Sequence, residues 1–333
     1  MGRVASTGAY LSGSAVTIGV FDGVHRGHQA LLAETVRLAR DNGYIPAALT
    51  FDPHPSAVFA PARTPLLLGT LSERIALLEL HGAQSVVVAP FDRALAALTP
   101  DEFVREWLVD RSNARAVVVG DDFRFGCDRS GDTAFLRRAG EKYGFAVATV
   151  PPVFVAGVPC RSTTIRQMIA GGQVKSAQTL LGRPYSLTGT VVHGRKLGRT
   201  IGFPTANLDT PNGLLIPGAG VYVGVGCWME RVLGVEYRVL DVRNGASVPP
   251  NTQHPTPNTH LAAVSIGTNP TVTPGINAPR TVEAFLLDFD GDIYDQTLTV
   301  TFTKFLRGTE KFDSLDALVE QMHRDIARVR SGE

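Results

Sequence analysis

The chain has 333 residues, about twice the ~150 of a typical single domain, so two compact units are expected and one large barrel is the alternative. Apolar residues make up 44% of it, which excludes wholesale disorder. Lysine and arginine total 32 against 31 acidic residues, so no basic field marks nucleic acid or an anionic membrane surface as a main partner. The three cysteines, Cys127, Cys160 and Cys227, are widely spaced and odd in number, which argues against a disulfide or zinc framework. No apolar run reaches signal-peptide length near the start or the ~20 residues of a bilayer span elsewhere, so a cytoplasmic location is expected.

After a flexible stretch over 1–14, β-rich runs alternate with helical ones, the signature of a parallel sheet covered by helices. Strands are predicted at 15–20, 45–51, 85–89, 116–119 and 146–150. Helices are predicted at 29–42, 72–80, 100–110 and 133–143, the first carrying Leu31, Leu32, Thr35, Val36, Leu38 and Ala39 at helical spacing before the stop at Gly43. The pattern changes at Gly182-Arg183-Pro184, giving a first domain over 15–182 and a second over 183–330. Beyond it, strands at 185–193, 220–228, 236–242, 261–266, 281–287 and 297–306 follow one another without helices, which favours antiparallel pairing in a small barrel or sandwich. A last helix at 315–329 has one apolar face for packing on the barrel wall. The Pro-, Thr- and Asn-rich run 247–258 reads as an excursion between strands, without chemistry.

In the first domain, Gly19-Val20-Phe21-Asp22-Gly23-Val24-His25-Arg26-Gly27-His28 leaves a strand and enters a helix. A helix N-terminus after the first parallel strand presents unpaired N–H groups and a positive partial charge, so phosphate is its natural occupant. Gly27 permits close backbone approach. His25 and His28, three residues apart, can donate together to phosphoryl oxygens as charge builds during transfer. They also read as ordinary polar residues at a capped helix start. Neither G-x-G-x-x-G nor G-x-x-x-x-G-K-[ST] is present, which disfavours hydride transfer and a P-loop.

The H-x-G-H motif resembles that of the nucleotidylyltransferase superfamily. Three further stretches, Thr50-Phe51-Asp52-Pro53-His54-Pro55, Gly120-Asp121-Asp122-Phe123-Arg124-Phe125-Gly126 and Arg161-Ser162-Thr163-Thr164-Ile165-Arg166, resemble the FMN adenylyltransferase half of bacterial bifunctional riboflavin kinase/FAD synthetases. The resemblance implies a Rossmann-like α/β domain that binds ATP through Gly19, Phe21, Asp22, Gly23, His25, Gly27 and His28. Ser162, Thr163 and Arg166 would close on the phosphates. Phe51, Asp52, Asp122 and Phe123 would lie on the flavin side. Phe51, Phe123 and Phe125 read equally as core aromatics, and Asp52 and His54 equally as shaping a turn at Pro53. The family usually shows S-S-T-x-I-R where this chain has R-S-T-T-I-R, so Arg161 replaces a serine; a guanidinium there also suits polyphosphate.

In the second domain, Gly194-Arg195-Lys196-Leu197-Gly198-Arg199-Thr200-Ile201-Gly202-Phe203-Pro204-Thr205-Ala206-Asn207 mixes glycines with cations after a strand. Such a loop can wrap polyphosphate, with backbone N–H groups exposed at its glycines, Gly194 and Gly198 among them, and charge from Arg195, Lys196 and Arg199. Thr205 and Asn207 offer hard oxygen ligands for Mg2+. A plain solvated hairpin has a similar composition. The segment resembles the riboflavin kinase domain, with P-T-A-N intact at 204–207, as do Thr281-Val282-Glu283-Ala284-Phe285 and Phe305-Leu306-Arg307. The resemblance implies a kinase-type barrel with Glu283 as general base and Arg307 beside the flavin. On composition alone, Glu283 is also a solvent-facing strand glutamate.

Together the motifs imply a two-site enzyme that makes FMN from riboflavin and ATP, then FAD and pyrophosphate from FMN and ATP. The alternatives are a kinase whose adenylyltransferase half is impaired by Arg161, and a non-enzymatic flavin-binding regulator.

Overall fold

The structure is a computed structural model that describes residues 13–194, 198, 201–228, 258–268 and 280–332. The expected strand at 236–242, Lys196 and most of the 1–14 segment lie outside the described residues. The chain divides into two compact units: Met1–Gln167 with Thr179–Arg183 and Gly213–Leu215, and Met168–Gln178 with Pro184–Asn212 and Ile216–Glu333.

In the first unit, β1 (Ser14–Ile18), β2 (Ile45–Asp52), β3 (Ser85–Pro90), β4 (Ala114–Gly120) and β5 (Ala146–Val150) form one sheet in the order β3-β2-β1-β4-β5, every pair parallel. The strands read as apolar runs because both faces are covered. Val16 and Ile18 point into a core with Phe103, Trp107 and Leu136, while Ala15 meets Ala39 and Ala116 on the other face. Helix α1 (Arg26–Asn42) shares that second face with α3 (Leu71–Leu80), joined through Leu32, Ala48 and Leu78. Helix α2 (Pro55–Phe59) precedes α3, and α4 (Arg93–Ala97) follows β3. Helix α6 (Thr133–Tyr143) and α5 (Pro100–Phe103) cover the first face. The sequence reads one helix over 100–110; the chain begins it as α and widens to π winding over Val104–Asp110. A short hairpin, β6 (Phe154–Val155) with β7 (Val158–Pro159), leads to α7 (Ser162–Ala170) and α8 (Val174–Leu181), of which the stretch Met168–Gln178 is assigned to the second unit.

The strand order reverses direction at β1 and β4, and the loops leaving their carboxyl ends carry Gly19 to His28 and Gly120 to Phe123. An open parallel sheet offers its natural ligand crevice at that place.

In the second unit, β8 (Tyr185–Val192), β9 (Ala206–Asp209), β10 (Gly220–Trp228), β11 (Asn258–Thr268), β12 (Arg280–Leu286) and β13 (Thr297–Arg307) close a barrel in the order β10-β11-β12-β9-β8-β13. All its ladders are antiparallel. Period-two alternation sends Leu187, Tyr222, Val264, Val282, Ala284, Val300 and Phe302 inward. On the outer wall, Val221, Val223, Ala263, Phe285, Leu287 and Leu306 meet Ile326 and Val329 of α9 (Leu315–Ser331), which packs on the barrel as its apolar face requires. Asn207 was read as part of the glycine-rich loop but lies in β9, where Ala206 and Leu208 face inward and Asn207 outward.

Candidate functional site

The first cleft, about 340 Å³, opens at the carboxyl ends of β1, β4 and β5. Gly19, His25, Gly27, His28, Asp122, Phe123 and Ser162 all line it. His25 caps α1, and its Nδ1 accepts from the His28 backbone N–H at 3.4 Å. An imidazole thus does what a serine or aspartate oxygen does at most helix starts. The two rings stack with centroids 3.7 Å apart, and Phe21 meets the His28 ring edge-on at 5.1 Å. Gly27 leaves the room this needs: a Cβ there would sit 3.1 Å from the His25 ring and 3.2 Å from the Cys160 carbonyl oxygen.

Both histidines are held neutral. Burial draws the His25 pKa down to about 4, with Arg166 and Arg183 adding to the effect. Burial also takes His28 well below its ordinary value, aided by His25 and Arg74. Its Nδ1 is sealed from solvent and has no hydrogen-bond partner among the described residues. A neutral imidazole keeps one N–H to donate and one nitrogen to accept.

Other expected ligands of this cleft stand behind it. Phe21 is wholly buried and backs His28. Asp22 is 2% exposed; one oxygen accepts from the Leu68 N–H at 2.9 Å and the other from Arg166 at 2.6 Å. Its carbonyl accepts from the Ser162 hydroxyl at 3.0 Å, so Asp22 ties the start of α7 to the loop after β1. Gly23 is buried, and its carbonyl accepts from Arg183 at 2.9 Å. Arg166 is therefore committed to Asp22, and Thr163 is exposed off the cleft lining. Phe51 packs on Phe91 and Phe103, and Asp52 stands 4.0 Å from the buried Arg74; neither lines the cleft. Phe123 lines the cleft and stacks on Phe125 with ring centroids 5.4 Å apart.

In the second unit the register does the assembling. Glu283 on β12 stands opposite Asn207 on β9 and Ser265 on β11. Its neighbours Val282 and Ala284 point into the barrel, so Glu283 faces out. A cavity of about 230 Å³ between barrel wall and α9 gathers Glu283, Thr205, Gly198, Phe285 and Arg307. Arg307 is fixed there by Asp325 of α9, its Nε and Nη2 donating to the carboxylate at 2.8 to 3.1 Å, and Gln321 donates to the same carboxylate at 2.9 Å. Thr205 also lines a neighbouring cavity of about 500 Å³ walled by Phe289 and Tyr294. Gly194 and Gly198 are closely packed: a Cβ at Gly194 would collide with the Asn207 amide, and one at Gly198 would collide with the Phe203 carbonyl and come 3.5 Å from Thr205 Oγ1.

Comparison with known proteins matches both halves. The FAD synthetase family model matches residues 8–164 and the riboflavin kinase model residues 181–332. The bifunctional riboflavin kinase/FMN adenylyltransferase of Escherichia coli (strain K12) is 37% identical over 318 residues, covering 96% of this chain and 92% of its own. The chain belongs to this family. The Pseudomonas fluorescens member is also 37% identical, over 96% of this chain and 93% of its own. A solved Streptococcus pneumoniae structure described as a macrolide-efflux protein has 31% identity and a TM-score of 0.79, covering 96% of this chain and 94% of its own. Among the described residues, no helix here is long and apolar enough to cross a membrane.

Within this family architecture, the sequence reading missed Asp325, Arg183 and Arg74. Asp325 had a signal, an acid on the otherwise apolar face of the last helix. Arg183 and Arg74 had none, because the fold alone brings the one to the Gly23 carbonyl and the other to the Phe51 carbonyl and the Thr50 hydroxyl. Helix α7 was legible from Ile165, Met168 and Ile169 at helical spacing but was read only as a motif.

Proposed function

We propose that the protein is a cytoplasmic two-site enzyme: the second unit converts riboflavin and ATP to FMN and ADP, and the first converts FMN and ATP to FAD and pyrophosphate. The observation that carries this reading is the Glu283–Asn207 register, which places a carboxylate beside a P-T-A-N motif on the wall that also holds Arg307.

In the kinase site the ribityl hydroxyl is a poor nucleophile until a base accepts its proton. Glu283 does this as the γ-phosphoryl group arrives, while Arg307, immobilised by Asp325, orients the flavin. The aromatic-walled cavity beyond Thr205 suits the purine. Thr205 and Asn207 fit Mg2+ in kind, since both carry neutral hard oxygens and each neighbours Glu283, Asn207 by strand register and Thr205 in the same cavity; they would hold the ion, which would supply neutralisation of polyphosphate charge.

In the adenylyltransferase site the FMN phosphate attacks the α-phosphorus of ATP and pyrophosphate leaves. No covalent enzyme intermediate is required. The α1 N-terminus and the neutral His25–His28 pair donate to the phosphoryl oxygens as negative charge develops, and Phe123 provides an apolar wall for the flavin.

Separating FMN and FAD over time in variant enzymes tests both halves. Glu283→Gln should lower FMN formation roughly 100-fold or more while FAD formation from supplied FMN persists. His28→Ala should do the reverse. Parallel loss of both activities in either variant would defeat the two-site division.

A further inference from the structure

If the first cleft takes ATP and FMN, as proposed above, it must hold two polyanions, yet it has little positive charge. Among the described residues that line it, Arg161 is the one lysine or arginine, and Asp121 and Asp122 are present with it. His25 and His28 carry no charge near neutral pH because burial keeps them unprotonated. Arg166 is occupied by Asp22, and Arg183 by the Gly23 carbonyl. Arg26 donates to the Thr179 carbonyl and is off the lining.

Arg161 stands on a fixed post. The preceding Cys160 is anchored through its N–H to the Val153 carbonyl at 2.9 Å and through its thiol to the Leu180 carbonyl at 3.2 Å. The following Ser162 is tied to Asp22. The Arg161 side chain is nevertheless 65% exposed, and it pairs with Asp122 at 3.8 Å, itself 78% exposed. A charge pair so open to solvent is weakly held and readily exchanged. Asp122 comes from the turn after β4 and Arg161 from the entry to α7, so the pair joins two elements that both border the cleft.

We propose that Arg161 is a polyphosphate-binding residue of the adenylyltransferase site, with Asp122 as its exchangeable resting partner. The transferring phosphoryl group belongs at the His25–His28 end, where the helix terminus and imidazoles converge. Arg161 receives the outgoing pyrophosphate portion, for which a planar guanidinium offers paired donors. Leaving Asp122 for that portion also removes a cation from the flavin-side carboxylate.

The test uses the full-length enzyme with FMN, MgATP and pyrophosphate. Arg161→Ser should raise KM for ATP and weaken product inhibition by pyrophosphate roughly tenfold, a change of about 1.4 kcal/mol, with KM for FMN little altered. Arg161→Lys should fall between. Urea unfolding of the first unit, measured on the same samples, reports whether that unit remains folded. Asp122→Asn should tighten pyrophosphate in the presence of Arg161 and not in the Arg161→Ser background. An unchanged KM for ATP and unchanged pyrophosphate inhibition in Arg161→Ser would overturn the proposal, as would an equal effect of Asp122→Asn in both backgrounds. The underlying reading fails separately: it is lost if His28→Ala leaves FAD formation intact, whatever Arg161 does.

Discussion

The stacked histidines place an energetic demand on the fold that pH exposes. His25 has an ordinary pKa of 6.5 and one of about 4 here, chiefly because it is buried. Between these values the unfolded chain binds a proton that the folded chain refuses, so stability rises with pH across the window and is lost as pH falls through it. The His25 contribution amounts to about 3 kcal/mol between pH 7 and pH 4. Asparagine can also cap a helix but does not titrate. Denaturant unfolding of His25→Asn should therefore show a shallower loss of stability on acidification than the unaltered chain; parallel curves would mean that His25 is not the group responsible. The same neutrality should leave FAD formation undisturbed by His25 down to about pH 5, since its proton uptake begins only below that. Asp22 is the other demanding residue. It is buried, and Asp22→Asn leaves the Arg166 charge without its counter-ion, at a cost of roughly 3–5 kcal/mol. FAD formation and first-unit stability should fall together, measured by the FMN-to-FAD rate and by urea unfolding.

At the scale of elements, α9 is more than a cover for the barrel. Its Asp325 is 5% exposed and grips Arg307, 14% exposed, across the cavity that holds Glu283. Asp325→Ala should raise KM for riboflavin more than KM for ATP, because Arg307 loses its orientation while Asn207 and the aromatic-walled cavity beyond Thr205 are untouched. A matching rise in both constants would show that the helix acts only by general stabilisation. The legible elements are those whose period is strong and long: α6 and β5 occur over 133–143 and 146–150 as expected, and α1 ends at Asn42 before Gly43. Its start came three residues earlier than expected, because the cap is a histidine ring and the usual hydroxyl or carboxylate signal is absent. Strand β9 was illegible for another reason. Four residues after a glycine-rich run give too short a pattern, and only pairing with β8 and β12 makes them a strand. The site followed the same division. Motif context singled out His25, His28 and Glu283, which line the two cavities, whereas the burial of Phe21 and Asp22 behind the cleft is tertiary and invisible to spacing.

For the whole molecule, each cleft is lined by residues of one unit: positions from Ile18 to Ser162 in the first, and from Val191 to Ile326 in the second. Among the described residues, the groups that line each cleft belong to a single unit. The product of the second unit is the substrate of the first, and FMN released from one chain is chemically the same molecule that another must capture. Two half-active chains should therefore complement each other. Glu283→Gln supplies only adenylylation and His28→Ala only phosphorylation, so neither alone turns riboflavin into FAD. Mixed with riboflavin and MgATP, they should produce FAD after a lag during which FMN accumulates, and the lag should shorten as the adenylylating variant is increased. Free FMN added at the start should abolish the lag. Failure of the mixture to make FAD, with each half-reaction intact on its own substrate, would mean that FMN does not leave the chain that made it.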